Sequence, residues 1–442
     1  MSATEQAGAS GAMVVGQRPG PADPDTGSAS QAAASGPDGA SGRQWRSLAA
    51  RVRPLAPAVA LYTAVKGLGF ASFLLLLQYA HDDRFVSRSM LTPISSVFAV
   101  LGSWDGVWYR DIAEHGYHPA LIPTGAPLGT EHSMEQNSAA FFPLYPALIR
   151  IVHECTRLGY LESAVLASIL ASLVAAAGVY SVGKLLAGHK AALIAVALWA
   201  VFPSSGVEWS AYSESSLVAV AAWCLYFVLR ERWLTAGVLA MAAGLSRPTA
   251  IAVVGAYAVA ALIAVHRNRR RKGWIRPLAG LCIAPLGSLG YLLWVSVRMG
   301  SATAYPTLER DAWGQYFDFG RWTAMGYLHT VVGQRFWHDS PQEDLIAVAL
   351  LTVLPMLLLL LLRTRPPAAI VVYVALFAGA ALTTRQNFGN ISRYLLPVFP
   401  LLYPLGLGLR RLSWPVLGTC LGVAALASGW YAGYVPFVLG VP

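Results

Sequence analysis

Apolar runs of about 20 residues recur through this chain, divided by short gaps that carry most of its arginines. A run of that length spans the ~30 Å hydrocarbon core of a bilayer as a helix, because a helix rises about 1.5 Å per residue and satisfies its own backbone polar groups. A water-soluble chain of this size needs polar helix faces, and these runs have none. Composition agrees: 56% of the 442 residues are hydrophobic and 12% are charged, about half the ~25% charge of a soluble domain. The chain is expected to be all-α and polytopic, with the lipid bilayer as its surroundings.

Charge in the gaps orients the spans, since Lys and Arg collect on the cytoplasmic side. Residues 1–42 are rich in Gly, Ala, Ser and Pro and hold no apolar run able to build a core. They are expected to be a disordered tail rather than a secretory signal. Arg43, Arg46, Arg51 and Arg53 follow as a basic collar, which puts the tail in the cytoplasm. Residues 43–442 are then expected to form one multi-span domain whose first external loop is 79–161. Within that loop Phe141–Val152 is short and holds Pro143 and Pro146. Reading it as non-crossing keeps Lys184, Lys190, Arg230, Arg232 and the cluster Arg267, Arg269, Arg270, Arg271 and Lys272 inside, with the pairs Arg363/Arg365 and Arg410/Arg411.

Eleven spans result, at about 56–78, 162–186, 190–206, 211–229, 233–247, 248–265, 277–298, 345–362, 367–383, 394–409 and 414–433, with the C-terminus outside. Ser246-Arg247-Pro248 divides the apolar stretch 234–265, which would be ~48 Å as one helix, into two short ones. The net charge of +10 is thus a matter of topology, and no nucleic-acid partner is expected. Cys155, Cys224, Cys282 and Cys420 lack metal or redox spacing and read as packing residues. Abundant alanine, and four lysines among 32 basic residues, suit a high-GC bacterial genome.

The unusual polar residues fall in the external segments 79–161, 207–212, the Arg247 turn, 299–344 and 384–393, so the chemistry is expected on the outer face. The densest stretch is Trp104-Asp105-Gly106-Val107-Trp108-Tyr109-Arg110-Asp111-Ile112-Ala113-Glu114-His115-Gly116-Tyr117, with three carboxylates and four aromatics. Asp105 is a candidate base at the membrane surface; alternatively it caps a helix from Gly106 to His115 that Gly116 closes. Asp111 and Glu114 lie six and nine residues further on, so neither shares its helix face. Glu208 and Glu214 are acids at membrane depth, a costly position unless the group is functional or paired. Arg247 and Arg393 are cations in apolar surroundings. Their planar forks suit a phosphate, or a salt bridge to Glu214 or Glu208. Phe141, Phe142 and Tyr145 either stack on a sugar or lipid or anchor an interfacial belt. HExxH, GxGxxG and Walker patterns are absent from the sequence, its one DxD, Asp23-Pro24-Asp25, falls in the tail 1–42, and neither cofactor nor metal is expected.

The stretch Trp104–Tyr117 resembles the signature of the PIG-V-like mannosyltransferases, multi-span glycosyltransferases of the GT-C class whose eukaryotic member adds the second mannose of a glycolipid anchor. Ala140-Phe141-Phe142-Pro143-Leu144-Tyr145-Pro146, Ala211-Tyr212-Ser213-Glu214-Ser215 and Ser392-Arg393-Tyr394-Leu395 follow in the family's order, over roughly residues 100–400. With the composition, this points to an actinobacterial member. The resemblance implies an inverting transferase of the plasma membrane with an extracytoplasmic site. It would move a hexose, mannose by resemblance, from a polyprenyl-phosphate donor to a hydroxyl of a glycan, glycolipid or protein acceptor. It implies Asp105 as the catalytic base and Trp104, Glu114, Tyr145, Glu214 and Arg393 around the substrates, to which the reading of the residues adds Arg247. The rival reading is a transporter or flippase of a lipid-linked glycan, for which two similar halves with matching broken helices are expected; the spans show no such repeat.

The charge pattern predicts the outcome of a topology experiment. Reporter fusions after residues 160 and 270 should read outside and inside respectively, and an inside signal at 160 would overturn the non-crossing reading of Phe141–Val152.

Overall fold

The computed structural model describes residues 53–80, 97–127, 129–130, 132–267, 272–333 and 342–434. The tail 1–42, the collar residues Arg43, Arg46 and Arg51, and Arg269, Arg270 and Arg271 of the basic cluster lie outside the described residues. The helices described below belong to the unit Pro54–Pro442.

The fold is that of an all-α, multi-span membrane protein, and every expected span falls on a helical segment. Among the described residues six helices are long and apolar enough to cross a membrane: Arg53–Gln78, Tyr160–Ala187, Pro248–Arg267, Ile275–Met299, Gln342–Arg363 and Trp414–Gly433. Five shorter apolar helices, His189–Ala200, Glu214–Leu229, Trp233–Gly244, Ala368–Thr383 and Phe399–Leu409, occupy the other expected places. The break at Ser246-Arg247-Pro248 is present. The Trp233–Gly244 helix stops short of it, and a 3₁₀ turn at Pro248–Ala250 leads into Ile251–Arg267. Proline forces this, because it has no N–H to donate and pushes the residue before it out of helical conformation. The segment expected not to cross holds Leu144–Thr156, a helix of 13 residues, about 20 Å long and shorter than a bilayer core.

Two expectations need correction. The span placed at 394–409 is not one helix: it is divided into Ile391–Leu395, Phe399–Leu401 and Leu402–Leu409, at Pro397 and Pro400. Of the four cysteines read as packing residues, only Cys224 is buried.

The Tyr160–Ala187 helix is the hub. In its most apolar window 67% of residues are buried inside the protein, against 17–39% in the other five long helices. Ala175, Ala176, Ala177 and Gly178 let neighbours come close, and a Cβ at Gly178 would stand 2.8 Å from the Cβ of Ala222 on Glu214–Leu229. Small residues serve this purpose between membrane helices, where dispersion contacts replace the hydrophobic effect as the main attraction. The long helices elsewhere present large apolar side chains outward, Leu75, Leu293, Val297, Leu359 and Val423 among them. Between the external segments 299–344 and 384–393 a two-residue antiparallel ladder sets Tyr316 opposite Arg385 and Phe317 opposite Thr384.

The first described helix, Ala56–Ala80, packs along the last, Trp414–Tyr434. A Cβ added at Gly429 would overlap the carbonyl of Gly69, so the two backbones touch there. Gly429→Val should therefore force them apart at a cost of about 1–3 kcal/mol, read as a lower apparent melting temperature in detergent with Gly422→Ala as the control. An unchanged melting temperature would place this helix pair outside the stabilising core.

Candidate active site

A short helix, Val97–Leu101, ends in a tight turn: the Gly102 N–H donates to the Phe98 carbonyl at 2.9 Å and Ser103 Oγ donates to the Val100 carbonyl at 2.7 Å. Trp104 then takes φ 56° and ψ −119°, a left-handed conformation that strains any residue with a Cβ. The turn feeds the helix Asp105–His115, in which Asp105 is the first helical residue. The capping alternative for Asp105 is corrected here: the N-cap position belongs to Trp104, no side chain caps it, and the Asp105 carboxylate is engaged elsewhere. Gly116 closes the helix as expected, at φ 89°.

Three contacts dock this turn beside Glu214. The Ala211 N–H donates to the Leu101 carbonyl at 2.7 Å, Gly106 packs on Ala211, and Tyr109 Oη donates to Ser213 Oγ at 2.7 Å. Glu214 opens its own helix and is buried. Its Oε1 accepts from Arg393 Nε at 2.5 Å and from Arg247 Nη1. Arg393 Nη2 donates in turn to Asp105 Oδ2, and the guanidinium lies 4.5 Å over the Tyr212 ring. Both arginines, which the sequence leaves open between phosphate and acid partners, are thus paired with acids, and Glu208 is not one of them. Glu208 sits apart, bound to Lys66 Nζ at 3.0 Å and Tyr62 Oη at 2.6 Å.

Side-chain exposure separates the members of this chain of ion pairs: 2% for Glu214 and 4% for Arg393, but 17% for Arg247 and 22% for Asp105. Asp105 is the most exposed of them, and with Arg247 and Arg393 it lines the cavity beside it. That cavity measures about 310 Å³, and its lining includes Trp104, Asp105, Trp108, Arg247, Glu309, Trp313 and Arg393. Two polar atoms at its wall, Ser246 Oγ and Trp313 Nε1, are buried without a partner among the described residues. Across Trp104 lies a smaller cavity of about 50 Å³, walled mainly by apolar side chains such as Phe73, Val100, Leu101 and Tyr431.

Of the expected site residues, the structure gathers Trp104, Asp105, Glu214, Arg247 and Arg393. Two stand outside. Glu114 is exposed, as its position half a turn from Asp105 around the helix requires; only its backbone carbonyl is engaged, by Arg150 Nη2 at 3.3 Å. Tyr145 is fully buried, with Oη donating to the Ala164 carbonyl at 2.7 Å, and it braces Tyr109 edge-on at 4.9 Å from behind the cavity.

Glu309 is the acid that sequence reading missed. It sits on the helix Ala304–Trp313, where Tyr305 Oη donates to its Oε1 at 2.7 Å. Loss of hydration in the cavity, opposed by the Tyr305 bond and Arg247, pushes its carboxyl up to about 7. Leu308-Glu309-Arg310-Asp311 looks like a solvated run. The signal against that was helical spacing: Ala304, Tyr305, Leu308 and Ala312 fall on one stripe, and all are buried. Among the described residues no group of three or more His, Cys, Asp and Glu side chains could hold a metal ion.

Comparison with known proteins gives similarities in the same direction. The family model of the dolichyl-phosphate-mannose-protein mannosyltransferases matches residues 139–294, a stretch holding Glu214 and Arg247 but neither Asp105 nor Arg393. No curated protein matches the chain. ArnT from Cupriavidus metallidurans, in the crystal structure bound to undecaprenyl phosphate, aligns at 16% identity over 83% of this chain and 76% of its own, with a TM-score of 0.47. The oligosaccharyltransferase of Archaeoglobus fulgidus, in complex with zinc and sulfate, aligns at 14% identity over 86% of this chain and 53% of its own, with a TM-score of 0.45. Neither alignment reaches a TM-score of 0.5, so the functional reading stands on the residues and on the family match.

Proposed function

We propose that this chain is a membrane glycosyltransferase that moves a hexose from a polyprenyl-phosphate donor to an acceptor hydroxyl. The observation that carries the reading is the placement of a partly open carboxylate, Asp105, against the buried guanidinium of Arg393, with the partly exposed Arg247 joined to it through Glu214, all but Glu214 at the wall of one cavity. Asp105 takes the proton of the acceptor hydroxyl, whose oxygen attacks C1 of the sugar in line. The bond from C1 to the phosphate oxygen breaks, and its electron pair leaves with the lipid phosphate, so the anomeric centre inverts. Arg247 and Arg393 meet the charge that grows on that phosphate, a task for fixed donors in a site shielded from water. Glu214 holds both in position until then. Mannose as the hexose, a PIG-V-like origin, the plasma membrane and an outward-facing site rest on the sequence resemblance, and the family description supports mannose.

The test is Asp105→Asn, assayed in lipid nanodiscs with synthetic polyprenyl-phosphate mannose. Asparagine keeps the size but cannot accept the proton, so transfer should fall by the ~10²–10⁴-fold typical of lost acid–base catalysis. Donor affinity should hold or tighten, since a carboxylate that competes with the phosphate for Arg393 is gone. Full activity in this variant would remove Asp105 from the chemistry.

Glu309 faces the same phosphate, and its raised carboxyl keeps a proton that would otherwise add a repelling charge. Linkage fixes the sign of the stability effect. The folded chain binds this proton more tightly than the unfolded chain, whose carboxyl titrates near 4.5, so stability declines as pH rises from about 4.5 to about 7 and is level above that. Glu309→Gln should therefore gain in apparent melting temperature over the parent across that window. A difference between the two that does not change with pH would assign the acid an ordinary, hydrated environment.

A further inference from the structure

A second cavity, of about 330 Å³, lies beyond Trp313, Gln315, Asn390 and Tyr394, four residues that line it and the Asp105 cavity alike. Its own wall adds Trp322 and Asn387. The volume is at the lower end of the ~300–1,000 Å³ usual for small-ligand sites. No carboxylate lines it and one cation does, Arg385, whose guanidinium lies over the Trp322 ring; the rest of its polar lining is amides and aromatic rings. A carboxamide offers a donor and an acceptor side by side, matching neighbouring hydroxyls of a pyranose. An indole or phenol face covers the ring's C–H face and keeps a polar edge for its hydroxyls. An isoprenoid chain here would strip water from the amides without replacing their hydrogen bonds, an expensive exchange. The Trp313 indole N–H, buried without a partner among the described residues, is a donor still to be matched.

The wall is also built to keep its shape. The ladder of Tyr316–Phe317 with Thr384–Arg385 joins its two chain segments. Asp318 accepts from the backbone N–H groups of Gly320 at 2.9 Å and Trp322 at 2.7 Å, and the Arg385 guanidinium covers the Trp322 ring at 4.3 Å. A site held in this way spends little of its binding energy on ordering itself.

We propose that this cavity is the acceptor subsite and that the acceptor is a glycan. Its terminal pyranose lies among Gln315, Asn387 and Trp322 and presents a hydroxyl past Trp313 to Asp105. The inference rests on the glycosyl-transfer reading and adds the class of acceptor to it.

Full-length protein in nanodiscs should bind methyl α-mannopyranoside or its gluco epimer saturably, followed by tryptophan fluorescence. Trp322→Leu and Gln315→Ala should each raise the half-saturating concentration about tenfold, the loss of one good contact of ~1.4 kcal/mol. Gln315→Ala removes only an amide and serves where Trp322→Leu lowers the folded yield. Unaltered half-saturation in both variants, or a parent protein that glycosylates a Ser/Thr peptide and binds neither glycoside, would overturn the proposal. Hydrolysis of polyprenyl-phosphate mannose by the parent protein, with no acceptor present, reports separately on the donor. Turnover without sugar binding removes the acceptor site alone, whereas sugar binding that the variants weaken, without turnover, keeps the sugar site and removes the transfer reading.

Discussion

A carboxylate taken out of water among helices costs several kcal/mol unless positive charge surrounds it, and the interior of this protein is arranged around one such group. Glu214 gives a single oxygen to two guanidiniums, and one of these reaches on to Asp105. Those contacts join the turn before the Asp105–His115 helix, the start of the Glu214–Leu229 helix, the break between Trp233–Gly244 and Pro248–Arg267, and the short helix Ile391–Leu395. Two acids and two arginines leave no net charge, so the cluster is tolerable at depth. The same balance makes it responsive. On the transfer reading proposed above, a phosphate diester would compete with the two acids for the guanidiniums, and the second negative charge that appears on bond cleavage is what they would meet.

Much of the fold was legible because the bilayer imposes so strict a length and polarity on each span. The helix positions, the break at Ser246-Arg247-Pro248 and the non-helical approach to Asp105 all follow from local rules about apolar length, proline and glycine. Failures came where local rules conflict. Pro397 and Pro400 divide a segment that hydropathy alone joins into one span. Asp105 has the residue type and the position of a helix cap, but a longer-range partner, Arg393, claims its carboxylate.

The site was legible only in its ingredients. Cations and acids at membrane depth had to be paired, and residue type could not say with what, because the answer depends on which chain segments meet. Arg247 chose Glu214 over Glu208 since Glu208 is already held by Lys66 and Tyr62. Tyr145 illustrates the opposite error. It lies in a block that matches a family signature, yet it supports Tyr109 from the core and does not reach the cavity. Glu309 was hidden because a charged run on a loop reads as solvated until the apolar stripe beside it is counted.

The division between long and short helices has one more consequence. Five of the six long helices lie mostly unburied and turn large apolar side chains outward, while His189–Ala200 and Glu214–Leu229 are short and almost wholly enclosed by protein. Lipid therefore meets full-height helices over much of the perimeter, the exceptions being Leu234 and Val238 of Trp233–Gly244 and Leu376 of Ala368–Thr383, which are short and exposed. The shortfall in height appears instead on the inside, as a depression roofed by loops rather than by acyl chains. Irregular backbone is permitted at membrane depth where it lines such a hollow. The turn at Trp104 and the break at Arg247 both border the hollow that holds Asp105, which is where such backbone is found.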